Sequence, residues 1–278
     1  MKLAVNKMIG ASSRWIVFLL IFIFILLPFL WMLITSIKTR PDVMTIPIIY
    51  FPKRMTITTF LYFINQGALK FLRNSLIVTI CTVLLTLSLA IPAAYASSRF
   101  AFRGKKVFLV MLVATQMFPG VLLIVPLYKI MFTFHLLDSY FALILANVVS
   151  VLPFSIIILF TFLHAIPRTL DEAGLVDGCS SWSVLWKIII PVSLPGIISV
   201  AVYNFIFSWN EYMFALTFIS HDELKTLQVG LAGMKSQYLN TWADIMAGSV
   251  ITVLPVLLLF FIFQRFLMKG LTAGAIKG

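Results

Sequence analysis

Six long uncharged stretches constrain the fold of this chain more than any other feature of its sequence. Each runs for about 20 residues or more without Lys, Arg, Asp or Glu, and a helix of about that length crosses the hydrocarbon core of a bilayer. The predicted spans cover residues 15–37, 74–98, 107–128, 140–164, 188–219 and 245–267, of which the fifth extends past Glu211 and the sixth past Arg265. The sequence therefore predicts an all-α integral membrane protein whose residues 1–278 form a single transmembrane domain.

Composition excludes most other classes of protein. Hydrophobic residues make up 62% of the chain and charged residues 11%, whereas soluble domains average about 25% charged residues. A water-soluble enzyme could not bury so much apolar surface, and a disordered chain would not contain it. The first span is too long for the apolar part of a signal peptide, so we interpret it as a retained helix. We interpret residues 43–52 and 55–69 as a loop with short interfacial helices.

The basic residues predict the orientation of the chain in the membrane. The formal net charge is +12, but the basic residues lie singly or in pairs between apolar runs and form no stripe that would bind nucleic acid. The segment from Arg99 to Lys106 holds four basic residues, whereas the next connection holds only Lys129. Because short cytoplasmic connections are rich in Lys and Arg, we expect both termini to be cytoplasmic.

Prolines interrupt the apolar stretches repeatedly. They are Pro28, Pro92, Pro119, Pro126, Pro153 and Pro255. Each removes a backbone donor and kinks its helix, and lipid cannot satisfy the carbonyl that is left free. This pattern has two interpretations, either the ordinary proline content of membrane helices or helices bent around a translocation path.

The connection between the fourth and fifth spans carries the clearest local pattern. Thr169 and Glu172 have the spacing of a capping box, and Asp171 and Glu172 would place carboxylates in the first helical turn. Gly178 is suited to end the helix in the left-handed conformation. We therefore predict a short helix over about 170–177, followed by a second helix capped by Ser180 or Ser181. The segment is either an ordinary helix–turn–helix connection or a rigid docking element.

Three segments resemble one transporter family. Glu172-Ala173-Gly174, then Gly178, then Ile188 to Pro191 match the E-A-A, three residues, G, nine residues, I-x-L-P signature of binding-protein-dependent ABC importer permeases. Gly174 stands in place of the second Ala, and Ile190 in place of Leu. The segment 209–212 resembles the W-N-E-aromatic motif of the carbohydrate branch of this family. Residues 270–278 resemble the ending of maltose-type second permease subunits.

The resemblance implies a type I importer transmembrane domain in the cytoplasmic (inner) membrane of a bacterium or archaeon. It implies four kinds of partner besides lipid: a second permease subunit in a heterodimer, two cytoplasmic ATPase subunits that bind ATP and Mg, and an extracytoplasmic solute-binding protein. It also implies a set of ATPase-coupling residues: Thr169, Asp171, Glu172, Ala173, Gly174, Asp177 and Gly178. Within the C-terminal tail, 268–278, it implies further ATPase contacts at Gly274, Lys277 and Gly278.

The chain itself lacks the sequence features of an ATPase. The string nearest to a phosphate-binding loop runs from Gly230 to Ser236 and has the wrong spacing. His135, His164 and His221 are scattered without metal-ligand spacing. We therefore expect a transport subunit with no catalytic residue, no metal and no cofactor of its own. The outer loop 220–243 resembles the segment that probes the binding protein in maltose-type systems.

Polar residues in the spans are candidates for the substrate path. They are Gln116, Asn147, Tyr203, Asn204, Trp209, Asn210, Glu211 and Tyr212. Amides, carboxylates and aromatic rings suit a sugar, so we expect import of a sugar or oligosaccharide. For any single residue, hydrogen bonding between helices is the competing interpretation. Competing functions are a permease for a polyol or glycerophosphodiester and an independent channel or secondary carrier.

Overall fold

The chain folds into helices of the lengths that a multi-pass membrane protein requires. The structure, a computed structural model, describes residues 2–237 and 242–272, with side chains for residues 15, 17–234 and 242–266. Within these residues, five helices are long and apolar enough to cross a membrane, and a sharply bent pair of shorter helices makes a sixth if the pair is one span. The predicted all-α membrane class is therefore confirmed.

The helices follow one another with short connections. In chain order they are α1 (Lys2–Ser36), α2 (Arg40–Val43), α3 (Thr58–Asn65), α4 (Ala68–Arg99), α5 (Lys105–Thr115), α6 (Ile124–Thr133), α7 (Tyr140–Ala165), α8 (Thr169–Val176), α9 (Ser181–Val184), α10 (Ile190–Trp209), α11 (Met213–Phe218), α12 (Leu227–Gln237) and α13 (Trp242–Thr272). A 3₁₀ turn, Gly120–Leu123, precedes α6, another covers Asp222–Leu224, and a π-helical turn, Leu185–Ile189, joins α9 to α10. The chain forms two compact units, residues 1–68 with 231–253 and residues 69–230 with 254–278.

In the first unit, the loop after α1 folds back onto the end of that helix. The Lys38 ammonium donates to the Ile49 carbonyl at 2.6 Å and lies 4.4 Å from the centre of the Trp31 ring. Arg40 pairs with the fully buried carboxylate of Asp244 at 2.9 Å. The predicted loop therefore contains the short helix α3, whereas α2 lies just before it, and polar contacts hold this region at its base.

In the second unit, α7 and α10 pack side by side because small residues let them approach closely. A β-carbon on Gly196 of α10 would lie 2.6 Å from the Phe162 ring of α7. Two clusters of buried apolar side chains fill the unit. One gathers around Leu143 and Phe218, and the other gathers around Leu159 and Leu185.

Two predicted spans are interrupted in the structure. The stretch 107–128, predicted as one helix, is α5 and α6 with a bend of 100° between them. Pro119 lies at the break, and it interrupts the helix because it lacks a backbone N–H and disfavours a helical conformation in the residue before it. The stretch 188–219 is likewise divided, because α10 ends at Trp209 and α11 begins at Met213.

Candidate functional site

The helix α8, which we call the docking helix, begins two residues after Pro167. Leu170 N–H donates to the Pro167 carbonyl, and Glu172 N–H donates to the Arg168 carbonyl at 3.0 Å. Arg168 occupies the N-cap position and makes no side-chain capping bond. The predicted capping box of Thr169 and Glu172 is therefore wrong. The carbonyls of Pro167 and Arg168 accept the first of these bonds, so the helical turn begins before Thr169 and Thr169 lies inside it.

The docking helix ends as its sequence predicts. Gly178 has a φ of +81°, its N–H donates to the Leu175 carbonyl at 3.1 Å, and Cys179 N–H donates to the Gly174 carbonyl at 3.0 Å. These two bonds form a Schellman motif, which satisfies the last carbonyls of the helix. Ser180 Oγ then accepts from Ser183 N–H at 3.2 Å and caps α9. A sharply defined turn therefore follows the docking helix.

One face of the docking helix packs against the rest of its own chain. The carboxylate of Asp171 lies 3.0 Å from Arg99 Nε and accepts a 2.9 Å hydrogen bond from the Tyr95 hydroxyl. A β-carbon on Gly174 would lie 2.6 Å from Ile188 Cδ1 and 2.9 Å from a methyl group of Val184. Asp171 and Gly174 are buried, so the structure gives both residues internal contacts that the sequence analysis did not predict.

The opposite face of the docking helix is exposed and mostly apolar. Glu172 and Ala173 are exposed, and the Leu175 and Val176 side chains are 50% and 87% exposed. An apolar surface of this kind beside a rigid turn is typical of a protein–protein contact. Asp177 and Gly178 continue this exposed surface.

Two exposed indole rings adjoin the docking helix. Trp182 and Trp186 meet edge to face with ring centres 5.8 Å apart. The sequence analysis did not select them as site residues. Their spacing of four residues on a helix, directly after the docking turn, is the signal that could have identified them.

A pocket of about 570 Å³ lies where α10 ends. Four of the eight predicted substrate-path residues line it: Tyr203, Asn210, Glu211 and Tyr212. The 3₁₀ turn after the break at Pro119 contributes Gly120 and Val121, which the sequence analysis missed. The Pro-Gly pair is a strong turn signal and could have indicated that this stretch does not continue as a helix. We call this cavity the membrane pocket.

Backbone donors hold the carboxylate of the membrane pocket in place. Glu211 Oε1 accepts from Phe214 N–H at 2.6 Å, and Oε2 accepts from Ala215 N–H at 3.0 Å. Glu211 thereby satisfies two donors that the first turn of α11 leaves free. The aromatic side chains of Tyr203, Phe207 and Tyr212 line the same pocket, and the Tyr203 ring centre lies 4.7 Å from that of Phe154. The pocket thus combines a fixed carboxylate, an amide and aromatic surface.

The other four predicted residues lie elsewhere. Asn204 is fully buried and accepts a 2.9 Å hydrogen bond from Ser155 Oγ, which joins α7 to α10. Trp209 is buried and stacks on Phe205 with ring centres 5.7 Å apart. Asn147 is buried in α7, and Gln116 is exposed at the end of α5. The structure therefore supports hydrogen bonding between helices as the role of Asn204, and not a place in the substrate path.

The outer segment 220–228 is fastened to the ends of two helices. Asn74, at the start of α4, donates to the carbonyls of Glu223 and Lys225 at 2.8 and 2.9 Å. Asp138 accepts from the N–H groups of Ser220 and His221, and these bonds hold the pKa of its carboxyl below the usual range, although burial acts in the opposite direction. The predicted tail contacts Gly274, Lys277 and Gly278 lie outside the described residues.

The fold defines a multi-pass membrane protein with an exposed helix outside its spans, and comparisons with known proteins show that it is a component of a transport system. The family described as binding-protein-dependent transport system inner membrane component matches residues 86–272. The sulfoquinovosyl glycerol transport system permease protein of Agrobacterium fabrum is 35% identical over 270 residues, which are 97% of this chain and 95% of that protein. The trehalose/maltose transport system permease protein of Thermococcus litoralis is 34% identical over 264 residues, 94% of each chain.

A solved structure shares the fold. It is the crystal structure of a bacterial ABC transporter involved in the import of the acidic polysaccharide alginate. The match has a TM-score of 0.81 at 21% identity and covers 94% of this chain and 97% of that chain. The chain therefore belongs to the family of binding-protein-dependent transport system inner membrane components. It is an ABC transporter permease of the type I importer fold and a multi-pass inner-membrane protein, as the sequence predicted.

Proposed function

We propose that this permease moves a sugar or oligosaccharide. The membrane pocket carries the proposal because it places the rings of Tyr203 and Tyr212 beside the Asn210 amide and the Glu211 carboxylate. Such a set suits a hydroxyl-rich ring, because carboxylates accept hydrogen bonds, amides donate and accept them, and aromatic faces cover the apolar side of the sugar. Two similar permeases support this assignment. The name of the A. fabrum protein contains sulfoquinovosyl glycerol, and that of the T. litoralis protein contains trehalose and maltose.

The chain supplies the path, and a partner supplies the energy. In this proposal a cytoplasmic ATPase pair binds and hydrolyses ATP with Mg, and one ATPase subunit receives the docking helix of this chain. A second permease subunit completes the pore, and an extracytoplasmic binding protein delivers the solute. The exposed face with Leu175 and Val176 supports the ATPase contact, and the exposed Glu172 provides a carboxylate for a basic residue of that partner.

The docking helix would couple the two reactions by alternating access. Closure of the ATPase dimer around ATP would move the docking helices of the two permease subunits, and hydrolysis would return them. A ligand can shift such an equilibrium only by its different affinity for the two states. In this proposal ATP shifts the equilibrium by binding to the ATPase, and the solute-loaded binding protein shifts it by binding to the outer face of the permease.

The test is uptake by the reconstituted complex. The chain is expressed with its neighbouring transporter genes, purified with its partners and placed in liposomes with ATP inside and binding protein outside. We expect ATP-dependent uptake of a mono- or oligosaccharide from a panel that also contains polyols and glycerophosphodiesters. Uptake of only a polyol or a glycerophosphodiester would overturn the sugar assignment. Solute movement by the chain alone, without ATP, would overturn the coupled-permease proposal.

A further inference from the structure

A buried polar cluster joins the docking helix to α4, and we call it the α4 clamp. It consists of Tyr95, Arg99 and Asp171. One carboxylate oxygen of Asp171 lies 3.0 Å from Arg99 Nε, and the other accepts the 2.9 Å hydrogen bond from Tyr95. The side chains of Arg99 and Asp171 are only 6% and 12% exposed. Separating such a pair would leave a buried charge without a partner, so the pair resists separation.

A second contact runs between the same two elements. Arg168, at the N-cap of the docking helix, donates from Nη2 to the Ser98 carbonyl at 3.4 Å. That carbonyl lies in the last turn of α4, where the helix dipole favours a cation. The first turn of the docking helix is thus tied to the end of α4 at two points. The helices α5, α6 and α7 lie between α4 and the docking helix in the sequence. These side-chain contacts therefore link two helices that are distant along the chain.

The helix α4 is also fastened at its other end. Asn74 holds the carbonyls of Glu223 and Lys225, and Ser75 Oγ accepts from Leu227 N–H at 2.9 Å. One continuous helix therefore contacts the docking helix near Arg99 and the outer segment 220–228 near Asn74. Pro92 lies between these two contacts, but α4 runs without a break from Ala68 to Arg99. Because packed interiors deform little and transmit strain, a displacement at one end can reach the other.

We propose that the α4 clamp is a positioning device that makes α4 move with the docking helix. Force from the ATPase would then reach the outer segment 220–228 through α4. This route would add to the direct one, in which the docking helix moves the helices next to it in the sequence. Tyr95, Arg99 and Asp171 would act through this movement, without touching solute or nucleotide. The inference rests on the proposed function, because it needs an ATPase that engages the docking helix.

The test removes the charge of Arg99 or of Asp171 and then exchanges the two charged residues. The purified complex carries Arg99→Gln, Asp171→Asn or the exchanged pair Arg99→Asp with Asp171→Arg. Arg103→Gln is the matched control, because it removes the same charge from an exposed position in the connection that follows α4. We expect each neutralised variant to retain the ATPase through purification. Uptake per ATP hydrolysed should fall about tenfold, within the range for mutations in a coupling network, and the exchanged pair should recover part of it.

A structural readout separates coupling from simple loss of stability. Hydrogen exchange of the segment 220–228 is measured in the wild-type complex with and without ATP and vanadate. We expect the nucleotide to change exchange there in the wild type and in Arg103→Gln. That change should be lost in Arg99→Gln, although the complex stays assembled. Tyr95→Phe removes a single hydroxyl and should give a smaller loss of the same kind, which keeps the test valid where a charge variant fails to fold.

The possible results discriminate between the two proposals. Unchanged uptake per ATP and an unchanged exchange response in Arg99→Gln, Asp171→Asn and Tyr95→Phe would overturn the clamp and leave the permease function intact. A wild-type chain that neither retains an ATPase nor takes up solute would instead overturn the proposed function. An exchanged pair that behaves no better than the single variants would also count against the clamp, because it would show that the charges do not act on each other.

Discussion

At the scale of single residues, the docking helix shows how adjacent positions take opposite roles. Glu172 and Ala173 face solvent, whereas Asp171 and Gly174 face inward. The motif resemblance implied one function for all four residues. A motif gives positions along the chain, but it does not show to which side of the helix each side chain points. The helical repeat of 3.6 residues sends neighbouring side chains to different faces. The burial of Asp171 and Gly174 then depends on what lies beside each face.

The glycine that ends the docking helix provides the first prediction. Gly178 and Gly104 both have positive φ, +81° and +87°, and a β-carbon at either position would meet no atom within 4 Å. Gly178→Ala and Gly104→Ala should therefore cost about 1–2 kcal/mol of backbone strain each. We expect only Gly178→Ala to lower substrate-stimulated ATP hydrolysis in the purified complex. Equal losses in the two variants would indicate a general effect of strain.

At the scale of elements, the connections of the second unit are held by side chains that accept from backbone N–H groups. Glu211 does so for α11, and Asp138 does so for the segment that begins at Ser220. Asp138 itself has a φ of +55°, a conformation that Asn also tolerates. Asp138→Asn is therefore a suitable substitution, since it keeps the backbone and removes the charge.

The second prediction concerns the pH dependence of this connection. Because the pKa of Asp138 is lowered in the folded protein, its contribution to stability is complete above the ordinary carboxyl pKa. That contribution is lost as pH falls through the lowered pKa. We expect the wild type to melt at a higher temperature than Asp138→Asn at pH 7 and the difference to shrink in acid. Scanning fluorimetry in detergent measures both. A difference that does not shrink at all on acidification, down to about one unit below the ordinary carboxyl pKa, would contradict this assignment.

At the scale of the whole molecule, the distribution of basic residues predicts the orientation, which provides the third prediction. The two native cysteines, Cys81 and Cys179, are free and can be replaced by Ser. In that background Arg103→Cys should react only with a reagent that reaches the cytoplasmic side, and Asp222→Cys only with one applied outside. Both positions are exposed. The opposite labelling pattern would invert the predicted topology.

Most of the architecture could be predicted from the sequence, because membrane insertion depends on local properties. Runs of apolar residues set the spans. A glycine sets the C-terminal end of the docking helix. The spacing of a few motif residues is enough to indicate the family. These features act over one or two helical turns, so they are visible in the order of residues along the chain.

The tertiary structure alone decided which of these residues meet. Asp171 pairs with Arg99 across three intervening helices, and Asn204 bonds to Ser155 in place of lining the membrane pocket. Hydropathy shows that a segment lies in the membrane, but it contains no information on the rotation of a helix about its axis or on its neighbours. Those are set by side-chain packing between distant segments. The sequence by itself therefore determined the class and the docking turn, and the tertiary structure determined the breaks in two predicted spans, the α4 clamp and the pocket.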